Sequence, residues 1–176
     1  MRSFVDHLSN YGAYHRDRRN IATHFIGVPM IVFAVCILLS RPGFSVGGVA
    51  LSPAWLVAAL TALFYLRLNL IYGVVMAAEL ALLVWLASQV AAGSTASWLG
   101  WGIGLFVVGW VIQFVGHLYE GRKPAFVDDL VGLIIGPLFV TVEAAFLLGA
   151  SGDLKQAIEA RIGPTHWGPG QPGHAA

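Results

Sequence analysis

His117 and Glu120 stand three residues apart in the stretch Gln113-Phe114-Val115-Gly116-His117-Leu118-Tyr119-Glu120-Gly121-Arg122-Lys123-Pro124-Ala125. On a helix that spacing puts an imidazole and a carboxylate on one face, one turn apart. At the end of an apolar run they make half of a metal site, or else a polar pair facing lipid headgroups. The other half would come from His15 and His24. Nine residues apart, these lie on opposite sides of an unbroken helix, so they converge only where the chain bends between them, and Arg18-Arg19-Asn20 is the expected bend. His24 then falls in the first turn of a first spanning helix, beside His117 and Glu120 at the end of a fourth. Neutral imidazoles and a carboxylate with open positions suit mononuclear non-heme iron(II) or zinc. A di-iron centre would want roughly twice as many histidines.

The elements that must hold these groups are set by hydropathy. The 176 residues are 57% hydrophobic and 11% charged, with a mean hydropathy of +0.75, against about 25% charged residues in a soluble domain. A net charge of +1 argues against a nucleic-acid partner held by phosphate neutralisation. The single cysteine, Cys36, excludes an internal disulfide. The polar first twenty residues have no apolar core of the kind a cleaved signal carries. Phe4, Val5, Leu8, Tyr11 and His15 recur at spacings of three and four, which predicts an interfacial arm helix within residues 1–19. Asn20 is the expected N-cap of the first span, Ile21 to Ser40, with Pro29 inside it.

Arg41-Pro42-Gly43 and Gly47-Gly48 predict a loop, and apolar runs follow at 49–66 and 70–90 as a tight hairpin. A fourth run ends at Tyr119, with Trp98 and Trp101 in an aromatic belt near its start. A fifth segment, 126–150, is long enough to span once, but Gly136-Pro137 equally allows a kinked or re-entrant pair of half-helices. Gly27, Gly73, Gly102, Gly109 and Gly116 read as positions of close helix approach. Glu79 and Glu143 read as braces of the bundle. The expectation is an all-α fold, a polytopic membrane helix bundle of four to five transmembrane helices with an interfacial N-terminal helix. Residues 1–150 form a single membrane-embedded domain. Residues 151–176 add an amphipathic piece (Leu154, Ile158, Ile162) and a disordered Gly/Pro-rich tail carrying His166 and His174.

Three motifs carry a resemblance: Tyr11-x-x-Tyr14-His15, then Asn20-x-x-x-His24-x-x-Gly27-x-Pro29, then Gln113-x-x-Gly116-His117-x-x-Glu120-Gly121-Arg122-x-Pro124-Ala125. From Tyr11 to about Phe139 the chain resembles the Mpo1-like family of small membrane proteins, among them an Fe(II)-dependent 2-hydroxy fatty acid dioxygenase. The resemblance implies Fe(2+) held by His15, His24 and His117, with Glu120 as a further ligand or as a partner of the ligands. It implies a long-chain 2-hydroxy fatty acid and O2 as substrates, cleaved between C1 and C2 to the acid one carbon shorter. That conversion balances without an external reductant, consistent with the lack of a Gly-rich nucleotide fingerprint. Arg122 or Lys123 would attract the substrate carboxylate, or act only as membrane-surface anchors.

Charge asymmetry orients the bundle. With a cytoplasmic N-terminus, Arg2, Arg16, Arg18, Arg19, Arg67, Arg122 and Lys123 all fall on the cytoplasmic side and only Arg41 opposite. The site is then cytoplasmic, in the inner membrane of a bacterium or the endoplasmic reticulum of a eukaryote. The rival reading is a non-enzymatic membrane scaffold or a lipid-binding or transport protein, the last supported by the broken fifth segment and Glu79.

Overall fold

The computed structural model describes residues 2–41 and 43–168. The expectations for Pro42, for His174 and for the tail from residue 169 lie outside the described residues. Among the described residues seven helices run in the order α1 (Phe4–Gly12), α2 (Arg18–Ser40), α3 (Pro53–Leu68), α4 (Leu70–Ala91), α5 (Thr95–Glu120), α6 (Gly132–Leu147) and α7 (Gly152–Ile162). The small hairpin β1 (Phe44–Val46) and β2 (Val49–Leu51) precedes α3. This is an all-α membrane bundle. Helices α2, α4 and α5 are long and apolar enough to cross a bilayer, and the bent α6–α7 pair makes a fourth if counted as one span. At 16 residues α3 is apolar but shorter than the about 20 residues a span needs.

Chain contacts divide the molecule into two compact units, Met1–Val28 with Val111–Ala176, and Pro29–Trp110. In the second unit α3 and α4 form the expected tight hairpin, closed by Asn69, whose side chain caps α4 by accepting from Tyr72 N at 3.1 Å. Gly73 is required there, since a Cβ would lie 2.5 Å from Leu66 Cα. Gly102 likewise admits Leu38, and Trp98 Nε1 donates to Ile37 O at 2.8 Å, tying the start of α5 to α2. The apolar run expected from residue 49 begins as a strand. Gly47 and Gly48, at φ +59° and +82°, supply the left-handed pair that a two-residue hairpin turn demands. Helix α3 therefore starts only at Pro53, a favoured first helical position.

The first unit carries the chemistry-bearing residues. Helix α1 opens with a capping box: Asp6 N donates to Ser3 Oγ and Ser3 N to Asp6 Oδ2. Its apolar stripe, with Leu8 fully buried, packs against α6 and α7. Three local expectations are corrected here. The N-cap of α2 is Asp17, whose Oδ1 accepts from Arg19 N at 2.8 Å, while Asn20 lies inside the helix. The bend between the two N-terminal histidines spans residues 13–17, so His15 sits in the bend itself. The break in the fifth segment lies at residues 148–151. There Gly149 (φ +78°) and Ser151 (φ +56°) turn α6 into α7 through 117°, whereas Pro137 sits inside α6 without ending it. The segment from 125 also begins as a 3-10 turn, Ala125–Val127, with α6 starting only at Gly132.

The tail expectation fails for His166. Its backbone N donates to Arg16 O and its O accepts from Arg18 N, both at 2.9 Å, making a parallel bridge to Asp17. Helix α7, amphipathic as expected with Ile158 buried, delivers this strap to the neck between α1 and α2.

Candidate metal centre

The centre is assembled from three elements. Helix α5 must end where it does: Gly121 takes φ +68°, the left-handed conformation that stops a helix, with its N–H on His117 O at 3.0 Å. His117 and Glu120 therefore occupy the last turn. Helix α2 contributes His24 two turns in. The neck contributes His15, and α6 covers it with Phe139.

One ring nitrogen from each of His15, His24 and His117 lies within 4.8 Å of the others, and all three residues are buried. His15 Nδ1 lies 2.7 Å from Tyr11 O and His24 Nδ1 lies 2.9 Å from Asn20 O. Carbonyl oxygens only accept, so both Nδ1 atoms carry the proton and both Nε2 atoms present bare lone pairs. Those two Nε2 atoms face each other at 3.0 Å. Two lone pairs at that distance repel unless a cation lies between them. Two nitrogens bound at right angles at about 2.1 Å would stand about 3.0 Å apart. His117 Nδ1 is buried without a partner, a third donor atom left for the same purpose. The donor set fits a metal ion. Its tautomers are set by backbone carbonyls, as in metal sites whose outer partners orient the ligands.

Burial, reinforced by the neighbouring His24 ring, holds His15 well below the usual imidazole range. It is neutral at pH 7, the form a metal requires. Tyr11 stacks on the His15 ring at 4.2 Å and 9°, and the Phe139 ring lies tilted 5.5 Å from it. Burial also raises the Tyr11 phenol, which stays protonated.

Glu120 is outside this histidine group. Its Oε1 accepts from Arg16 N at 2.9 Å, and its Oε2 accepts from Asp17 N at 2.9 Å and Asn20 Nδ2 at 3.0 Å. Both of its oxygens are thus bonded to the neck and to Asn20. The carboxylate holds the amides on the C-terminal side of His15 and so sets where that imidazole points. Asn20 Nδ2 also donates to Tyr14 O at 3.1 Å, which ties both sides of the neck to α2. Gly116 makes the approach of α5 possible. A Cβ there would collide with Thr23 Oγ1 and come within 2.5 Å of Asn20 Oδ1.

The two cations expected to meet a carboxylate, Arg122 and Lys123, are exposed and each has a partner within the chain. Arg122 Nη1 donates to Ala13 O at 3.0 Å, and Lys123 pairs with Asp128, which also accepts from Tyr14 OH at 2.7 Å. Asp129 pairs with Arg2 at 2.8 Å. Sequence reasoning missed Arg16 and Asp17 as parts of the site. Asp17 carries a readable signal by residue type, since Asp is a favoured N-cap, and it stands one place before the observed start of α2 at Arg18. Arg16 carries none. Its Nε bonds Gly12 O at 2.8 Å at the start of the neck, and its Nη1 bonds Gly163 O at 3.0 Å, 147 residues away in the chain.

The family model described as "2-hydroxy-palmitic acid dioxygenase Mpo1-like" matches residues 1–148. The 2-hydroxy-palmitic acid dioxygenase MPO1 of Saccharomyces cerevisiae (strain ATCC 204508 / S288c) is 34% identical to this chain over 154 residues, covering 86% of the chain and 85% of that protein. No solved structure matches the chain.

Proposed function

The chain belongs to the Mpo1-like family, and on that premise we propose that it is an Fe(II)-dependent dioxygenase of long-chain 2-hydroxy fatty acids. The observation that carries the reading is the buried trio His15, His24 and His117. Their lone pairs converge, and the tautomers of His15 and His24 are set for a metal. His15, His24 and His117 would hold the ion, and Glu120 would position His15 through the amides of Arg16 and Asp17. Bound iron would supply Lewis acidity toward the carboxylate and hydroxyl of a 2-hydroxy acid. Arg122 braces the neck at Ala13. Tyr11 and Phe139 exclude water from the His15 side of the centre.

The reaction R–CH(OH)–COOH + O2 → R–COOH + CO2 + H2O balances in atoms and electrons. The C1–C2 bond breaks, C1 leaves as carbon dioxide and C2 becomes the new carboxyl. The substrate supplies all the electrons. The protein is placed in a membrane with the histidine trio toward the cytoplasm, a reading supported by the basic residues Arg2, Arg16, Arg18, Arg19, Arg122 and Lys123.

The test is turnover of 2-hydroxypalmitate by the purified protein with Fe(II) under oxygen and without reductant, read by mass spectrometry. Release of the acid one carbon shorter, with palmitate itself inert, is expected. Equal turnover of palmitate, or a strict need for NADPH, would replace this reading with a hydroxylase or desaturase. A folded protein that binds lipid but holds no metal would favour the scaffold.

A further inference from the structure

One turn before His117, on the same face of α5, a polar side chain is buried with nothing to bond. Gln113 is 4% exposed, and its Nε2 has no hydrogen-bond partner. Around it Gly116 and His117 are buried, whereas Phe114, Val115, Leu118 and Tyr119 are exposed, so the amide belongs to the inward face of the helix. Side chains four apart on a helix are neighbours. They lean toward the N-terminus, so the His117 ring reaches back over the turn that Gln113 begins. His117 Nδ1 is buried without a partner as well.

Imidazole and amide thus share a face, each with a nitrogen for which the fold supplies no partner. A metal would account for the imidazole but not for the amide. Burying an unpaired NH2 forfeits its hydration without return, and methionine would fill nearly the same space at no such cost. A ligand that brings the acceptor satisfies such a group, and position says which acceptor. Gln113 lies about 6 Å along the helix axis from His117, away from the polar end of α5 at Glu120 and toward its apolar interior. A fatty acid keeps its charged carboxyl at the polar end. The oxygen on C2 is then the first polar atom on the chain side of the head.

We propose that Gln113 is the residue that recognises the 2-hydroxyl, with Nε2 donating to the oxygen on C2; this rests on the dioxygenase reading. A hydroxyl oxygen has two lone pairs, so it accepts an N–H while the other lone pair stays available to the metal. A plain fatty acid brings no acceptor to that place and leaves the amide unpaired. A site built to bond a hydroxyl rejects the analogue that lacks it far more strongly than an apolar pocket does. Gln113 thereby makes the centre selective for hydroxylated acids beyond what chelation alone would give.

The experiment is equilibrium binding of radiolabelled 2-hydroxypalmitate and of palmitate to the purified, Fe(II)-loaded full chain in detergent, with oxygen excluded so that nothing turns over. The unsubstituted protein should prefer the hydroxy acid. Gln113→Met, which keeps the length of the side chain and removes the amide, should weaken 2-hydroxypalmitate about tenfold and leave palmitate unchanged. Iron per chain should be unchanged, and the unfolding midpoint equal or higher, because no hydrogen bond within the fold is lost. Gln113→Leu should behave alike. A preference that Gln113→Met retains, an equal loss for both acids, or loss of iron would overturn the proposal. A lowered midpoint in both variants would overturn it too, by showing that the amide serves the fold. Equal binding of the two acids by the unsubstituted protein would sink the dioxygenase reading and this inference with it, whereas a preference that survives Gln113→Met would sink this inference alone.

Discussion

Glu120→Gln tests the account of how His15 is aimed. The carboxylate accepts from three donors, two on Oε2 and one on Oε1. Glutamine has the same shape but turns one acceptor into an NH2. With the amide nitrogen at the Oε1 position, Arg16 N loses its acceptor; at the Oε2 position both Asp17 N and Asn20 Nδ2 do. A hydrogen bond to a charged group contributes roughly 1.5–3 kcal/mol, so the better orientation still loses about 2 kcal/mol. For a chain of this size that is a drop of roughly 4–8 °C in unfolding midpoint. Glu120→Ala, which removes both acceptor oxygens and all three hydrogen bonds, should fall further, by about 4 kcal/mol or more. Because the held amides adjoin His15, metal affinity should fall about 10- to 100-fold in the glutamine variant. Thermal unfolding in detergent and metal titration of the same preparations read both effects. Midpoint and metal affinity both unchanged would refute the positioning role. Metal loss with an unchanged midpoint would make Glu120 a ligand instead.

Three further outcomes are expected. Gly116→Ala should lose stability by about 1–3 kcal/mol and bound metal with it, because the added methyl meets Thr23 and Asn20 beside His24; a fully metallated variant would show that α5 need not approach α2 so closely. His24→Ala and His117→Ala should each abolish metal binding. His166→Ala should keep it, since the strap grips the neck through backbone N and O, and metal analysis that reverses this pattern would overturn the ligand set. The Asp6 carboxyl is lowered to about 2 by the Ser3 backbone bond and by Arg161. A lowered carboxylate adds stability above its unfolded value, and that stability fades as pH falls through the folded one. The clasp of α1 on α7 should therefore persist to about pH 2, and acid titration should show Asp6→Asn losing the dependence between about pH 4 and 2; a variant that retains it would place the titration elsewhere.

The sequence alone determined the spans and the stops. Long apolar runs must be helical in a bilayer because every backbone group needs an internal partner, so α2, α4 and α5 could be read within a few residues of their ends. The end of the fourth apolar run at Tyr119 marked the end of α5 to within one residue, and Gly121, at φ +68°, is what stops the helix there. The spacing of His117 and Glu120 placed them together, and the packing roles of Gly73, Gly102 and Gly116 followed from their size. Tertiary structure decided where the chain bends. A cap at Asp17 or at Asn20 satisfies the helix start about equally, and only Glu120, a hundred residues away, selects between them by binding the amides of Arg16 and Asp17. That contact puts His15 in the neck opposite His24 and makes three distant imidazoles a single donor set. The break in the fifth segment was likewise not local. Pro137 is the stronger breaker by residue type, yet helix α6 runs through it and turns at Gly149 and Ser151, where α7 swings back onto α1. Periodicity and propensity act over a few residues, whereas the pairings that close the centre join segments a hundred or more apart, and those pairings exist only once the chain has packed.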